Sequence, residues 1–212
     1  MGTATRKIAN AFSTSGVISS ANINNASLDN ITTISGAGDM ILVSSATASS
    51  SASIEFTLGN YKEYKFFFVN IHPSVDCASL NFNMSTDNGS NYNVTKTTTL
   101  FYAFHREDGT NGTLSYIAGD DQAQSTAFQQ IIRQIGTDND QSGSGYMHLF
   151  NPSSTTYVKH FMSNTNLTQC DEYQEQIFCA GYANTTSALT NIRFQMSSGN
   201  IDAGTILMYG KN

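Results

Sequence analysis

Tryptophan is absent from this 212-residue chain, proline occurs twice, and charged side chains make up only 12% of it. The ten Lys and Arg are scattered and the formal net charge is −6, so the chain has no basic stripe to neutralise nucleic-acid phosphates. Nucleic acid is therefore not an expected partner, nor is an anionic membrane surface. No apolar run reaches the roughly 18 residues that a spanning helix needs. The first residues also lack the apolar core of a secretory signal, so the expectation is synthesis in a cytoplasm and no membrane insertion. Arg6 stands where a myristoylated Gly2 would require Ser or Thr downstream. Cys77, Cys170 and Cys179 form an odd set without a C-x-x-C pair, which signals neither a disulfide framework nor a zinc knuckle; buried free thiols are expected. No G-x-S-x-G elbow is present, and neither an enzyme nor a cofactor is expected.

Large apolar side chains are supplied chiefly by 13 Phe and 10 Tyr, which suit the half-buried pleated surface of a sheet. Strand-like runs occur at 40–44, 53–58, 64–71, 80–85, 145–151, 157–162, 176–182, 191–197 and 204–209. Ile54, Phe56 and Leu58 alternate with polar neighbours, as do Leu80, Phe82 and Met84, and Ile192, Phe194 and Met196. The run 65–71 is apolar on both faces, which predicts a central strand or one covered by a neighbouring subunit. Residues 85–92 carry Asn-Gly turn chemistry and read as a hairpin or a projecting loop tip. Within the irregular stretch 118–145, a strand at 127–135 is favoured over a helical stripe through Phe128, Ile131, Ile132 and Ile135. Eight or more strands joined by loops predict an all-β fold, a jelly-roll-like β-sandwich spanning 39–212.

Residues 1–38 differ from the rest. They are rich in Ser, Thr and Asn, close on Ser35-Gly36-Ala37-Gly38, and read as an extended N-terminal arm. Ile18, Ala21, Ile23, Ala26, Leu28 and Ile31 give this arm small and branched apolar positions, with a five-residue beat from Ala21 onward. A solenoid of that pattern needs stacked neighbours to bury its apolar ladder. One chain supplies too few walls, so a homotrimer wound about a common axis, or docking onto a larger lattice, is the expected solution.

The opening 4–12, the run 16–31, the phrase 85–92 and the closing Ser198-Gly199-Asn200-Ile201-Asp202-Ala203-Gly204-Thr205-Ile206-Leu207-Met208-Tyr209-Gly210 resemble phrases in structural proteins of tailed bacteriophages, particularly marine phages. The closing phrase is similar to an S-G-x-I-x-x-G-T-I-x-L-Y-G terminal strand, with Met208 where Leu is usual. The resemblance implies a virion component: a capsid decoration, cement or small fibre protein, trimeric, docked by its arm to major capsid or tail proteins. It also admits a tail-fibre adhesin that binds host surface carbohydrate.

Three patterns carry possible chemistry. Asp138, Asp140 and Ser142 copy the start of a calcium loop, but Leu149 stands where a bidentate Glu is required. His148 and His160 fall on neighbouring expected strands without identifiable metal partners. Asp171, Glu172 and Glu175 surround Tyr173 and echo paired glycosidase carboxylates, with a loop of solvated charges the simpler expectation. Tyr92, Tyr102, Tyr116 and Tyr173 lie near expected loops and are the candidate glycan contacts.

Overall fold

A computed structural model describes residues 40–212. The expectations placed on the arm, including Ile18, Ala21, Ile23, Ala26, Leu28 and Ile31, lie outside the described residues. Among the described residues the chain forms twelve strands and no helix: β1 (Ile41–Thr47), β2 (Ile54–Thr57), β3 (Glu63–Pro73), β4 (Ala78–Ser85), β5 (Lys96–Arg106), β6 (Gly112–Tyr116), β7 (Gln129–Ile135), β8 (Gly143–Phe150), β9 (Lys159–Thr168), β10 (Tyr173–Ala183), β11 (Asn191–Met196) and β12 (Ile201–Lys211). They build two antiparallel sheets, one of eight strands in the order β1-β12-β3-β8-β9-β10-β5-β6 and one of four in the order β2-β11-β4-β7. The two pack as a jelly-roll-like sandwich, and the chain crosses between them repeatedly.

Alternation decides what each sheet buries. Tyr64, Phe66 and Phe68 of β3 point into the sandwich and are almost fully buried, while Lys65 and Phe67 point away from it. The two-faced apolar run is thus explained by position: β3 is an interior strand flanked by β12 and β8. On its outward side Phe67 meets Tyr209 edge-on at 5.6 Å, and the Lys65 ammonium sits 4.5 Å from the Tyr146 ring centre. At the middle of the core, Phe194 of β11 lies 5.3 Å from Phe68, 5.4 Å from Phe66 and 6.4 Å from Phe82 between ring centres. Such contacts add to the area burial that dominates the energetics.

The closing phrase has a structural reading residue by residue. Gly199 turns the chain into β12 at φ +66°, and Gly204 bulges it at φ +110°. A Cβ at Gly204 would sit 2.6 Å from Asn70 O, so no other residue fits against β3 there. Ile201, Ile206 and Met208 fill the core.

Several expectations change. Two strands were not foreseen, β5 and β6; Thr97, Thr98 and Thr99 and a mixed aromatic run hide the alternation of β5. The segment 85–92 is not a hairpin but a loop that carries the chain from the small sheet to the large one, with Asn88 and Gly89 at positive φ. Two of the three cysteines are not free thiols. Cys77, in the β3–β4 turn, is bonded to Cys170, in the β9–β10 turn, across a sequence separation of 93 residues. An odd count conceals such a pair because only the fold brings the two turns together. Cys179 alone is free, and it is buried. Burial pushes its thiol up to about 12.

Two buried lysines lie at strand starts. Lys96 Nζ donates to Asn83 Oδ1 (2.7 Å) and Val94 O (2.9 Å), and burial holds the ammonium down at about 7. Lys159 Nζ donates to the carbonyls of Thr185 (3.1 Å) and Ser187 (2.6 Å), which fixes the β10–β11 loop.

Candidate functional site

The two sheets differ in width, and the difference makes a cleft. β7 is the last strand of the small sheet; it rests on β9 and on the first half of β5, where Thr165 Oγ1 donates to Ile131 O (2.6 Å) and Thr98 Oγ1 donates to Gln129 Oε1 (2.7 Å). The second half of β5 and the start of β10 run on past that edge. Their inward side chains keep the phase of the core but have no sheet above them. Tyr102 and Phe104 of β5 continue the series of Lys96, Thr98 and Leu100; Tyr173 and Glu175 of β10 lead into Ile177 and Cys179.

These residues line a cavity of about 240 Å³ together with Arg133 and Gln134 of β7 and Gln169 and Asp171 of the β9–β10 turn. One wall is aromatic: the Tyr102 and Phe104 rings are nearly parallel at 5.4 Å, and Tyr173 meets Phe104 edge-on at 4.9 Å. The opposite wall is polar. Gln169 Nε2 donates to Gln134 Oε1 (2.7 Å), and the Cys170 N–H donates to Gln134 O (3.1 Å). The Cys77–Cys170 bond anchors this turn from behind.

Glu175 stands at the floor. It is 1% exposed, and neither carboxylate oxygen receives a hydrogen bond. Arg133 Nη1 faces Oε1 at 3.5 Å, an ion-pair contact without hydrogen-bond geometry, while Arg133 Nε is committed to Asp120 Oδ2 at 3.1 Å. Desolvation raises the Glu175 pKa, and the Arg133 charge only partly offsets it. The Arg133 guanidinium also lies 5.6 Å from the Tyr102 ring centre. Outside the cavity, Glu172 is pushed up by desolvation and by the charges of Glu107, Asp140 and Asp138, so this end of the molecule is acidic.

Of the four candidate tyrosines, the fold brings together Tyr102 and Tyr173. Tyr92 is buried instead, its hydroxyl donating to Glu55 Oε2 (2.8 Å) beneath the Arg193 guanidinium, and it faces no ligand site. Tyr116 is half exposed on edge strand β6, paired in register with the outward-facing Phe101 and hydrogen-bonded to Asp121. The acidic group at 171–175 is likewise split. Asp171 lines the cleft and Glu172 sits in the turn, but Glu175 is a buried strand residue rather than a solvated one, because it is in phase with Ile177. Arg133, Phe104, Gln134 and Gln169 were not singled out in the sequence. The in-phase series Tyr173, Glu175, Ile177, Cys179 is the signal that could have found the site.

The chain matches no protein-family model and no curated protein. Its reading therefore rests on its own residues and on the phrases quoted above.

The metal candidates find no partners. Asp138 and Asp140 sit in the turn between β7 and β8 near Glu172, Ser142 lies at the mouth of β8, and Leu149 is core. Among the described residues, the one trio of potential ligand atoms close enough to share an ion is Asp76, Cys77 and Cys170. Its two sulfurs are bonded to each other and do not ligate. His148 and His160 do lie on paired strands, but two register positions apart. His148 pairs with Glu63, and His160 lies against Tyr182. No helix among the described residues is long and apolar enough to cross a membrane.

Proposed function

We propose that this chain is a non-enzymatic structural component of a tailed-phage particle, a capsid decoration or small fibre protein whose N-terminal arm docks to the particle. Its sandwich is displayed outward, and the assembly is a homotrimer. The observation that carries the reading is the closing phrase, 198–210. Its fixed positions coincide with the demands of β12: a turn glycine, a bulge glycine that no Cβ could replace, and three core side chains. A resemblance held by fold-determining residues supports a shared sandwich rather than a chance likeness of loops. Antibody against residues 40–212 should decorate purified particles in electron micrographs; its target present in the lysate but absent from washed particles would overturn the reading.

A second reading, the adhesin, has its own support. Two of the tyrosines expected to contact glycan converge on one cleft with a buried acid, an arginine and two amides. The same cleft offers a test of the word non-enzymatic, since Asp171 and Glu175 are both carboxylates and Glu175 has the raised pKa of a general acid. Incubation with neutral oligosaccharides should leave them intact. Release of reducing ends, lost in Glu175→Gln, would make the chain a glycosidase instead.

A further inference from the structure

We infer that the cleft between β5, β7 and β10 seats a single uncharged pyranose ring, with adjacent sugar hydroxyls donating to Glu175 and the C–H face of the ring lying on the wall of Tyr102, Phe104 and Tyr173. The inference deepens the adhesive reading and rests on it.

The first argument is the state of Glu175. A carboxylate that is 1% exposed and accepts no hydrogen bond is costly to keep, by roughly 1–3 kcal/mol or more for each buried polar group left unmade. Arg133 supplies charge at 3.5 Å but no aligned donor. Two vicinal hydroxyls are the donors that both oxygens lack. The second argument is shape. At about 240 Å³ the cavity falls below the roughly 300–1,000 Å³ of drug-sized sites, so it admits one ring rather than a length of chain. Its aromatic wall and its amide wall, Gln134 and Gln169, match the two kinds of surface that a pyranose offers, an apolar C–H face and a hydroxyl-bearing edge.

Charge settles the class. Asp171 and Glu175 lie in the cavity, and Glu172, Glu107, Asp138 and Asp140 crowd the same end, so a uronate or a sulfated sugar is repelled. An amino sugar would bring a cation to a place that Arg133 already fills, between Glu175 and the Tyr102 ring. A neutral ring meets neither obstacle.

The test titrates the full chain with the methyl glycosides of glucose, galactose and mannose, with glucuronate and with glucosamine, read by saturation-transfer NMR and calorimetry. At least one neutral glycoside should bind, and neither charged sugar should bind better. Glu175→Gln, which keeps the shape, should weaken that binding about tenfold or more. Tyr173→Ala should weaken it similarly, and Tyr116→Ala on the far edge should not. Cooperative unfolding of each variant excludes loss of fold as the cause. Preference for glucuronate or glucosamine overturns the inference. Neutral-sugar binding that only Tyr116→Ala disturbs overturns the site but leaves the adhesive reading standing, whereas no binding by any sugar overturns both and leaves the particle reading untouched.

Discussion

The inner face of the large sheet has two regions with the same alternation and opposite fates. Beneath the small sheet, Phe66, Phe68, Leu100 and Ile177 are sealed against Phe82 and Phe194; past β7, Tyr102, Phe104, Tyr173 and Glu175 occupy equivalent positions with only partial cover. What separates core from cleft is the width of the second sheet, not the pattern of the first. The residue types follow suit. Phenylalanine and aliphatic side chains serve where water is excluded, while tyrosine, arginine, glutamine and glutamate appear where the lid stops.

The comparison breaks most visibly in the covered region. Phe194→Ala removes the ring that four other core phenylalanines approach, Phe56 among them at 6.3 Å, and should cost about 3–5 kcal/mol in denaturant unfolding. A loss below about 1 kcal/mol would mean that the core is looser than its packing implies. Next comes the link that joins the regions. Replacing Cys77 and Cys170 together by serine frees a long loop and should cost about 2–4 kcal/mol, with sugar binding weakened as well because Gln169 and Asp171 flank Cys170. Unchanged stability would show that the two turns are held by their hydrogen bonds alone.

The smallest effect has the opposite sign. The Glu175 pKa is raised in the folded state, so between its ordinary value and the raised one the native protein binds more protons than the unfolded chain. Stability therefore falls as pH rises through that window and is flat above it. Glu175→Gln removes this fall. The variant should equal the parent at low pH and be at least as stable at neutral pH, by up to about 1 kcal/mol. A variant that is clearly less stable at neutral pH would show that the Arg133 ion pair outweighs the burial of the carboxylate, and that Glu175 serves the fold.

The sequence was legible wherever one face of a strand was uniformly apolar. Ile54, Phe56 and Leu58, Leu80, Phe82 and Met84, and Ile192, Phe194 and Met196 all point inward as their spacing predicts. The strand favoured at 127–135 appears as β7, since Ile131 and Ile135 share a face that a helix stripe would have shared differently. Legibility failed at β5 because its inward face changes character halfway, from Leu100 to Tyr102, Phe104 and Arg106, as the small sheet ends. Half of the tyrosine set was right for the same reason: nearness to a loop says nothing about which sheet face a ring takes, and Tyr92 took the closed one.

The tie between Cys77 and Cys170 gives this molecule a memory of its chemical surroundings. In a glutathione-rich cytosol such bonds are seldom kept, whereas outside a cell oxidation favours them. A chain made in the first setting and released into the second would stiffen its β9–β10 turn only after leaving, and the ligand seat would reach its final form at the moment it first met a new host.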